Sequence, residues 1–445
     1  MTARIATLLA RHGRFRIDGG SLGLPALAAQ AALVRMLGPL SSFALAVLLA
    51  RSLGAAGSGE FYTALTLVTA LAIVAKFGLE TALQRFIGMA HAAGDLVMVA
   101  GFYRQALITS SLLALALAGL CVVLATPIAG LLFKDTTLAP LLRILGAGIV
   151  PFALLGINAA ALKALGRPVL GGFFEAAAWP LLTICTVGAS VHTLAHTTLI
   201  IAAICLAAAT LAALLAYIPV RRLLPSGSLF KAVERRVPFS SCRSFMSIEL
   251  VNYILLWMPL ILLPAMAGTA EAGLFNISHR LAAQLGLLLL VFASITAPRF
   301  AAYHDKGRHA EMASLAGHAT RTMLLFAIPP VIILQFWSEH ILSIFGSDFV
   351  AAGATLQLLL IGQLVNLASG PVGYLLAMTG HERQLRNSLF VTATLMLPAA
   401  MLLIPAYGAE GAAATASLGL VFHNLMCSHL VAKNLRLPFF LAIAR

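Results

Sequence analysis

Long apolar runs, separated by short connections rich in charge or glycine, dominate this chain. Apolar windows fall at 27–50, 60–83, 102–126, 138–162, 169–190, 194–219, 239–264, 272–297, 314–336, 351–378, 386–405 and 409–432. Roughly 20 helical residues cross a hydrocarbon core about 30 Å thick, so each window suffices for one pass. The runs are continuous, whereas the strands of a membrane barrel alternate apolar and polar residues in segments of about ten. The pattern predicts an all-α membrane protein of about twelve transmembrane helices.

Composition agrees with this reading. Of 445 residues 61% are hydrophobic and 10% charged, with mean hydropathy +0.98, which excludes a soluble fold. The formal charge of +14 would suggest nucleic acid in a soluble protein, but its placement along the chain gives a different account. Of 29 Lys and Arg, 23 fall in the N-terminal segment, the even-numbered loops with the window ends that flank them, and the C-terminal tail; Arg51 and Lys134 alone occupy the opposite loops. The positive-inside rule then puts both termini in the cytoplasm of a bacterial inner membrane, with no nucleic-acid partner. Cys121, Cys185, Cys205 and Cys427 lie in apolar runs and Cys242 beside a basic stretch, so all five read as packing thiols.

The chain also matches itself at a shift of 214 residues. Gly59 and Phe61 pair with Gly273 and Phe275, Gly148 and Gly156 with Gly362 and Gly370, and Leu162 and Gly166 with Leu376 and Gly380. Six passes per repeat is an even number, so the halves enter the membrane in the same direction and relate by a pseudo-two-fold axis along its normal, with a central cleft between them. The expected organisation is an interfacial N-terminal segment (1–26), an N-terminal six-helix bundle (27–220), a basic cytoplasmic linker (221–238), a C-terminal six-helix bundle (239–432) and a cytoplasmic tail (433–445).

Arg35, Lys76, Arg143 and Arg280, which are outside that basic set, fall inside the windows, where each costs roughly 2.5–3.5 kcal/mol on insertion scales. A solvated cleft that offers positive charge to an anionic substrate, such as a pyrophosphate, gives these residues a reason. Structural alternatives stand beside it: Arg143 is close enough to a helix end to snorkel, and Lys76 is one turn from Glu80. The shift of 214 sets Arg35 opposite Glu249. Glu80, Glu175 and Glu249 are candidate coupling carboxylates, for H⁺ or Na⁺, since burial favours proton uptake. Asn252, Asn276, Gln363 and Asn366 are candidate sugar contacts, and interhelical bonding is the other use of such residues. There is no P-loop, no zinc spacing and no long extracytoplasmic loop. The expectation is therefore a non-enzyme without catalytic residues, metal or cofactor.

The stretches Ala50-Arg51-Ser52-Leu53-Gly54, Gly57-Ser58-Gly59-Glu60-Phe61 and Lys76-Phe77-Gly78-Leu79-Glu80-Thr81, with Ile344-Phe345-Gly346-Ser347-Asp348-Phe349, Gly362-Gln363-Leu364-Val365-Asn366 and Tyr407-Gly408-Ala409-Glu410-Gly411 in the second half, resemble the polysaccharide-type lipid flippases. These belong to the multidrug/oligosaccharidyl-lipid/polysaccharide exporter superfamily. The resemblance implies two six-helix bundles about a V-shaped cleft. It also implies flipping of an undecaprenyl-pyrophosphate-linked oligosaccharide for O-antigen, exopolysaccharide or other surface glycan synthesis, alongside other polysaccharide-assembly membrane proteins. Members carry basic residues in the first, second and eighth helices, the helices of Arg35, Lys76 and Arg280 here. A cation-coupled drug or metabolite antiporter on the same scaffold is the alternative, for which an acidic cavity is expected.

Overall fold

A computed structural model describes residues 24–190, 197–225, 237–435 and 437–438, with the side chains of 24–35, 190, 240, 241, 244, 294, 295 and 298 outside the described set. The described residues are helical throughout, with no strand. In a bilayer every backbone N–H and C=O must be satisfied within the chain, and an uninterrupted helix is the only open segment that does so.

In chain order the helices are α1 (Leu24–Lys76), α2 (Leu79–Ala92), α3 (Leu96–Val123), α4 (Leu138–Ala147), α5 (Ile149–Ala164), α6 (Pro168–Phe173), α7 (Trp179–Ser190) and α8 (Thr198–Leu223) in the first half. The second half holds α9 (Phe239–Ala267), α10 (Thr269–Ala283), α11 (Gly286–Asp305), α12 (His309–Phe336), α13 (Ser338–Ser343), α14 (Gly353–Ser369), α15 (Val372–Met378) and α16 (Glu382–Leu435). Among the described residues, ten stretches are long and apolar enough to cross a membrane. Two of them, α1 and α16, each contain one glycine with non-helical torsions, Gly54 and Gly408. In α16 the chain doubles back: Asn434 Nδ2 donates to Gln384 Oε1 fifty residues away. Dividing these two helices at their glycines turns ten stretches into twelve passes.

Each corner also has its freed N–H groups answered. Ala55 N–H, just past Gly54, donates to Asp348 Oδ2 at 3.4 Å, and Ala409 N–H, just past Gly408, donates to Glu271 Oε2 at 2.7 Å. A carboxylate at the start of a helical limb satisfies orphan donors and meets the positive end of the helix dipole.

The 214-residue repeat appears in the backbone. Gly54 (φ 68°) and Gly268 (φ 95°) both turn their corners through positive φ, as do Gly166 (φ 78°) and Gly380 (φ 80°), a region that glycine enters without steric cost. The most extensive helix–helix interface joins α1 with α10, and its centre is reciprocal. A Cβ on Gly59 would collide with Thr269 O and Gly273 N, and a Cβ on Gly273 with Ala55 O and Gly59 N. Residue 55 stands to 269 as 59 stands to 273, so the local pseudo-two-fold axis passes between the two glycines, as in a self-complementary interface. Phe61 and Phe275, two residues further on, are equivalent and both fully buried.

A Gly59→Val variant is expected to lower the thermal denaturation midpoint of the detergent-purified protein, consistent with an overpacking cost of about 1–3 kcal/mol. Gly119→Ala, whose added Cβ meets nothing within 4 Å, is expected to leave it unchanged. Equal midpoints for all three proteins would remove the glycine crossing from the account.

Candidate functional site

Arg280 lies on α10 at the seam between the halves. Its guanidinium carbon sits 4.3 Å from the ring centroid of Tyr62, on α1, and 5.7 Å from that of Trp257, on α9. Its Nε donates to Asn276 Oδ1 at 3.2 Å, one helical turn back. Among the described residues no carboxylate pairs with it. Aromatic faces attract a guanidinium by about 0.5–2 kcal/mol and leave most of its donors free. Two further donors beside it, Tyr62 Oη and Asn276 Nδ2, both buried, have no partner among the described residues. Tyr62 and Asn276 are themselves 214 residues apart, so they flank the pseudo-axis as equivalents. The seam therefore gathers a guanidinium, a phenol and an amide whose open valences favour an oxyanion.

Lys76 turns elsewhere. It pairs with Glu80 one turn on, and Lys163 pairs with Glu175. Lys76, Glu80 and Glu175 line a cavity of about 210 Å³ inside the first half, with Thr69, Phe152, Gly156 and Trp179. Two local devices build it. The chain forms a π-helical turn over Phe174–Ala178, an expanded turn frequent at functional positions, and this turn carries Glu175. Gly156 leaves room for the ion pair, since a Cβ there would fall 2.9 Å from Lys76 Cδ and 3.2 Å from Glu80 Oε2.

The remaining candidates are dispersed. Arg143 is exposed and its Nη2 donates to Thr126 Oγ1 at 3.0 Å, away from the seam. The side chain of Arg35 lies outside the described residues, so its pairing with Glu249 does too; Glu249 Oε1 accepts from Thr81 Oγ1 at 2.7 Å. Asn252 and Gln363 line one cavity in the second half together with His279 and His423. Asn366 Nδ2 donates to Gln363 Oε1 at 3.3 Å, and Asn276 serves Arg280. Asn158 is committed to packing, accepting from Tyr103 Oη at 2.6 Å and donating to Ala213 O at 3.1 Å.

Tyr62 and Trp257 were not sequence candidates. The repeat pairs Tyr62 with Asn276, a signal that a residue-by-residue search of the shifted chain contains. Also unanticipated is a clasp at the sparsely charged end of the bundle, where Arg51 Nε donates to Ile344 O at 2.6 Å beside the Ala55 bond to Asp348. It ties the α1 corner to the second half, so the halves are joined at that end.

The family model described as "Polysaccharide biosynthesis protein" matches residues 29–304. No curated protein sequence matches the chain. Among solved structures, the chain is similar to an inward-facing multidrug resistance MATE family transporter of the MOP superfamily, with TM-score 0.73, 12% identity, and coverage of 91% of this chain and 98% of that one. It is similar to the lipid II flippase MurJ in an inward closed conformation, with TM-score 0.68, 15% identity, and coverage of 91% and 87%. A MOP superfamily transporter from Pyrococcus furiosus, whose binding pocket is described as reversed in polarity, gives TM-score 0.60, 16% identity, and coverage of 92% and 96%. At these identities the likeness establishes the fold: an all-α membrane transporter architecture.

Removing one member of a buried ion pair strands the other charge at a cost of about 3–5 kcal/mol, whereas removing both can be near neutral. Lys76→Ala is accordingly expected to reduce the yield of folded protein and its denaturation midpoint more than Lys76→Ala with Glu80→Gln. A double variant no better than the single one would show that the pair does not act as a unit.

Proposed function

The chain belongs to the polysaccharide biosynthesis protein family, and from that premise we propose that it translocates an undecaprenyl-pyrophosphate-linked oligosaccharide from the cytoplasmic to the periplasmic leaflet of the bacterial inner membrane. The observation that carries the reading is the seam at Arg280. A cation is held between two aromatic rings, without a carboxylate partner among the described residues, beside two buried donors that lack acceptors. A diphosphate supplies the acceptors this group lacks.

The physical steps follow from that seat. The diphosphate enters from the basic end, to which the positive-inside rule assigns the cytoplasm. It engages Arg280, Tyr62 Oη and Asn276 Nδ2 as the halves part around the Gly59–Gly273 crossing. Binding favours whichever arrangement brings these donors together on the phosphates, and a ligand shifts an equilibrium only by such differential affinity. Release of the Arg51–Ile344 and Ala55–Asp348 clasp then opens the opposite end. The sugars travel through the parted seam, shielded from hydrocarbon. No covalent bond is made or broken, so the activity is transport rather than enzymatic catalysis.

The carboxylate pair Glu80 and Glu175, held between Lys76 and Lys163 in the first half, is the candidate for H⁺ or Na⁺ coupling, with Glu249 near the basic end as a further carboxylate. A drug antiporter on this scaffold would place negative charge where its cationic cargo sits, whereas the charged group at this seam is a cation.

In a strain deleted for the gene, Arg280→Ala is expected to abolish surface glycan display at unchanged protein level in the membrane. Arg280→Lys is expected to restore only part of it, because an ammonium lacks the planar fork that grips two oxygens. Normal display in the Ala variant would sink the assignment.

A further inference from the structure

A second ligand-sized space lies off the axis, between α9 and the first limb of α16. It has three connected parts. At the basic end, a cleft of about 340 Å³ is lined by Ser247, Val251 and Asn252 on α9 and by Arg386, Asn387 and Leu389 on α16. Asn252 and Leu389 also border the inner cavity of about 310 Å³, so the two spaces adjoin. Thr392, Met396 and Gly419 in turn border both that cavity and a groove of about 200 Å³ on the outer face of the α16 hairpin. Leu395, Leu418 and Phe422, which line the groove, are 49%, 57% and 38% exposed in the isolated chain and therefore face bilayer hydrocarbon.

The lining has a direction. Arg386, Leu389, Thr392 and Met396 are spaced by three or four residues, so they form one stripe along α16. Val251 and Leu255 continue the facing wall on α9. From Arg386 to Met396 the stripe spans about 15 Å at 1.5 Å per residue, half the thickness of a hydrocarbon core of about 30 Å. One end is cationic: Arg386 is exposed and makes no ion pair with a described carboxylate. The other end, at the outer groove, is apolar, while the inner cavity carries Asn252, His279, Gln363 and His423 among its leucines, and two inner hydroxyls are held by backbone carbonyls of α16 and α14. Thr392 Oγ1 donates to Ser388 O at 2.8 Å, and Ser417 Oγ donates to Leu358 O at 2.7 Å. What these residues present to the cavity is mostly carbon. The partition to the outer groove is one side chain thick, since a Cβ on Gly419 would collide with Met396 Sδ. Methionine, unbranched and flexible, is suited to a movable plug.

We propose that this passage holds a polyprenyl phosphate, with its phosphate at Arg386, the first isoprene units in the cavity between α9 and α16, and the rest of the chain leaving for the bilayer between Met396 and Gly419. It is a site for the lipid part of the substrate, distinct from the phosphate seat at Arg280, and it rests on the reading above that the cargo is polyprenyl-linked. A narrow passage with one cationic mouth and one lateral exit fits a single hydrocarbon chain better than a two-chain phospholipid. On this account part of the lipid tail is inside the protein before the diphosphate moves to the seam.

The test uses the full-length protein in nanodiscs and two photoreactive lipids: a diazirine-bearing polyprenyl phosphate and a diazirine-bearing phosphatidylglycerol. Cross-linked peptides are mapped by mass spectrometry. The expected result is labelling by the polyprenyl probe concentrated at 247–256 and 386–396 and suppressed by excess unlabelled polyprenyl phosphate. It should fall about fivefold in Arg386→Ala and be lost in Leu389→Trp, which fills the cavity. Arg386 is exposed, so its variant keeps the test decisive if Leu389→Trp misfolds. Equal labelling of the passage by phosphatidylglycerol, labelling spread evenly over lipid-facing helices, or no change in Arg386→Ala would overturn the proposal. Because this readout is binding without transport, it separates from the export test: a passage that fails to label while Arg280→Ala blocks export leaves the flippase reading intact, and the converse leaves the lipid site intact.

Discussion

Two glycines in van der Waals contact across a local two-fold axis set the geometry on which the rest depends. Lipid tails are as apolar as leucine side chains, so helix association inside a bilayer relies on close packing, and small residues allow it. At Gly59 and Gly273 the backbones of α1 and α10 approach so closely that neither position accepts a Cβ. That approach brings Tyr62, one turn beyond Gly59, over the guanidinium of Arg280, two turns beyond Gly273. The crossing thus joins the halves and creates the cation's environment in a single contact.

The two repeats have diverged in charge around this shared geometry. The equivalent of Arg280 in the first half is Thr66, whose carbonyl accepts from Tyr253 Oη at 3.0 Å. The seam therefore carries its cation on one side only. The first half instead keeps its charges as a balanced set, with the largely buried pair Lys76 and Glu80 beside the more exposed pair Lys163 and Glu175. A balanced set satisfies its own desolvation demands, whereas the seam's charge and donors find no carboxylate among the described residues. That contrast separates a locus that holds ions for structure or coupling from one open to an anionic ligand.

Much of the architecture was legible because a bilayer leaves few options. The apolar windows mark the helices closely, and the exceptions are instructive: the window 60–83 runs through a break where Phe77 and Gly78 both take positive φ, and the window 351–378 through one at Gly370, torsional events that hydropathy cannot register. The 214-residue shift found Gly59 with Gly273 and Gly166 with Gly380, and the structure adds Gly54 with Gly268, because corners and close crossings keep glycine when side chains drift. Side-chain direction was less legible. Local spacing offered an outward turn for Arg143 and a Glu80 partner for Lys76 only as alternatives to the cleft, and the structure has Arg143 at Thr126 and Lys76 paired with Glu80. Both depend on helix rotation, which tertiary packing sets. The π-turn that aims Glu175 likewise leaves no mark in the order of residues.

On the proposed function, the Arg280 seat receives the phosphates of a polyprenyl-linked substrate. The most direct measurement is a cryo-electron microscopy structure of the full-length protein in nanodiscs with an undecaprenyl-pyrophosphate-linked sugar bound. Phosphate density is expected within hydrogen-bonding distance of the Arg280 guanidinium, with Tyr62 Oη and Asn276 Nδ2 turned onto it. Density for the diphosphate elsewhere, with Arg280 still closed between Tyr62 and Trp257, would contradict it.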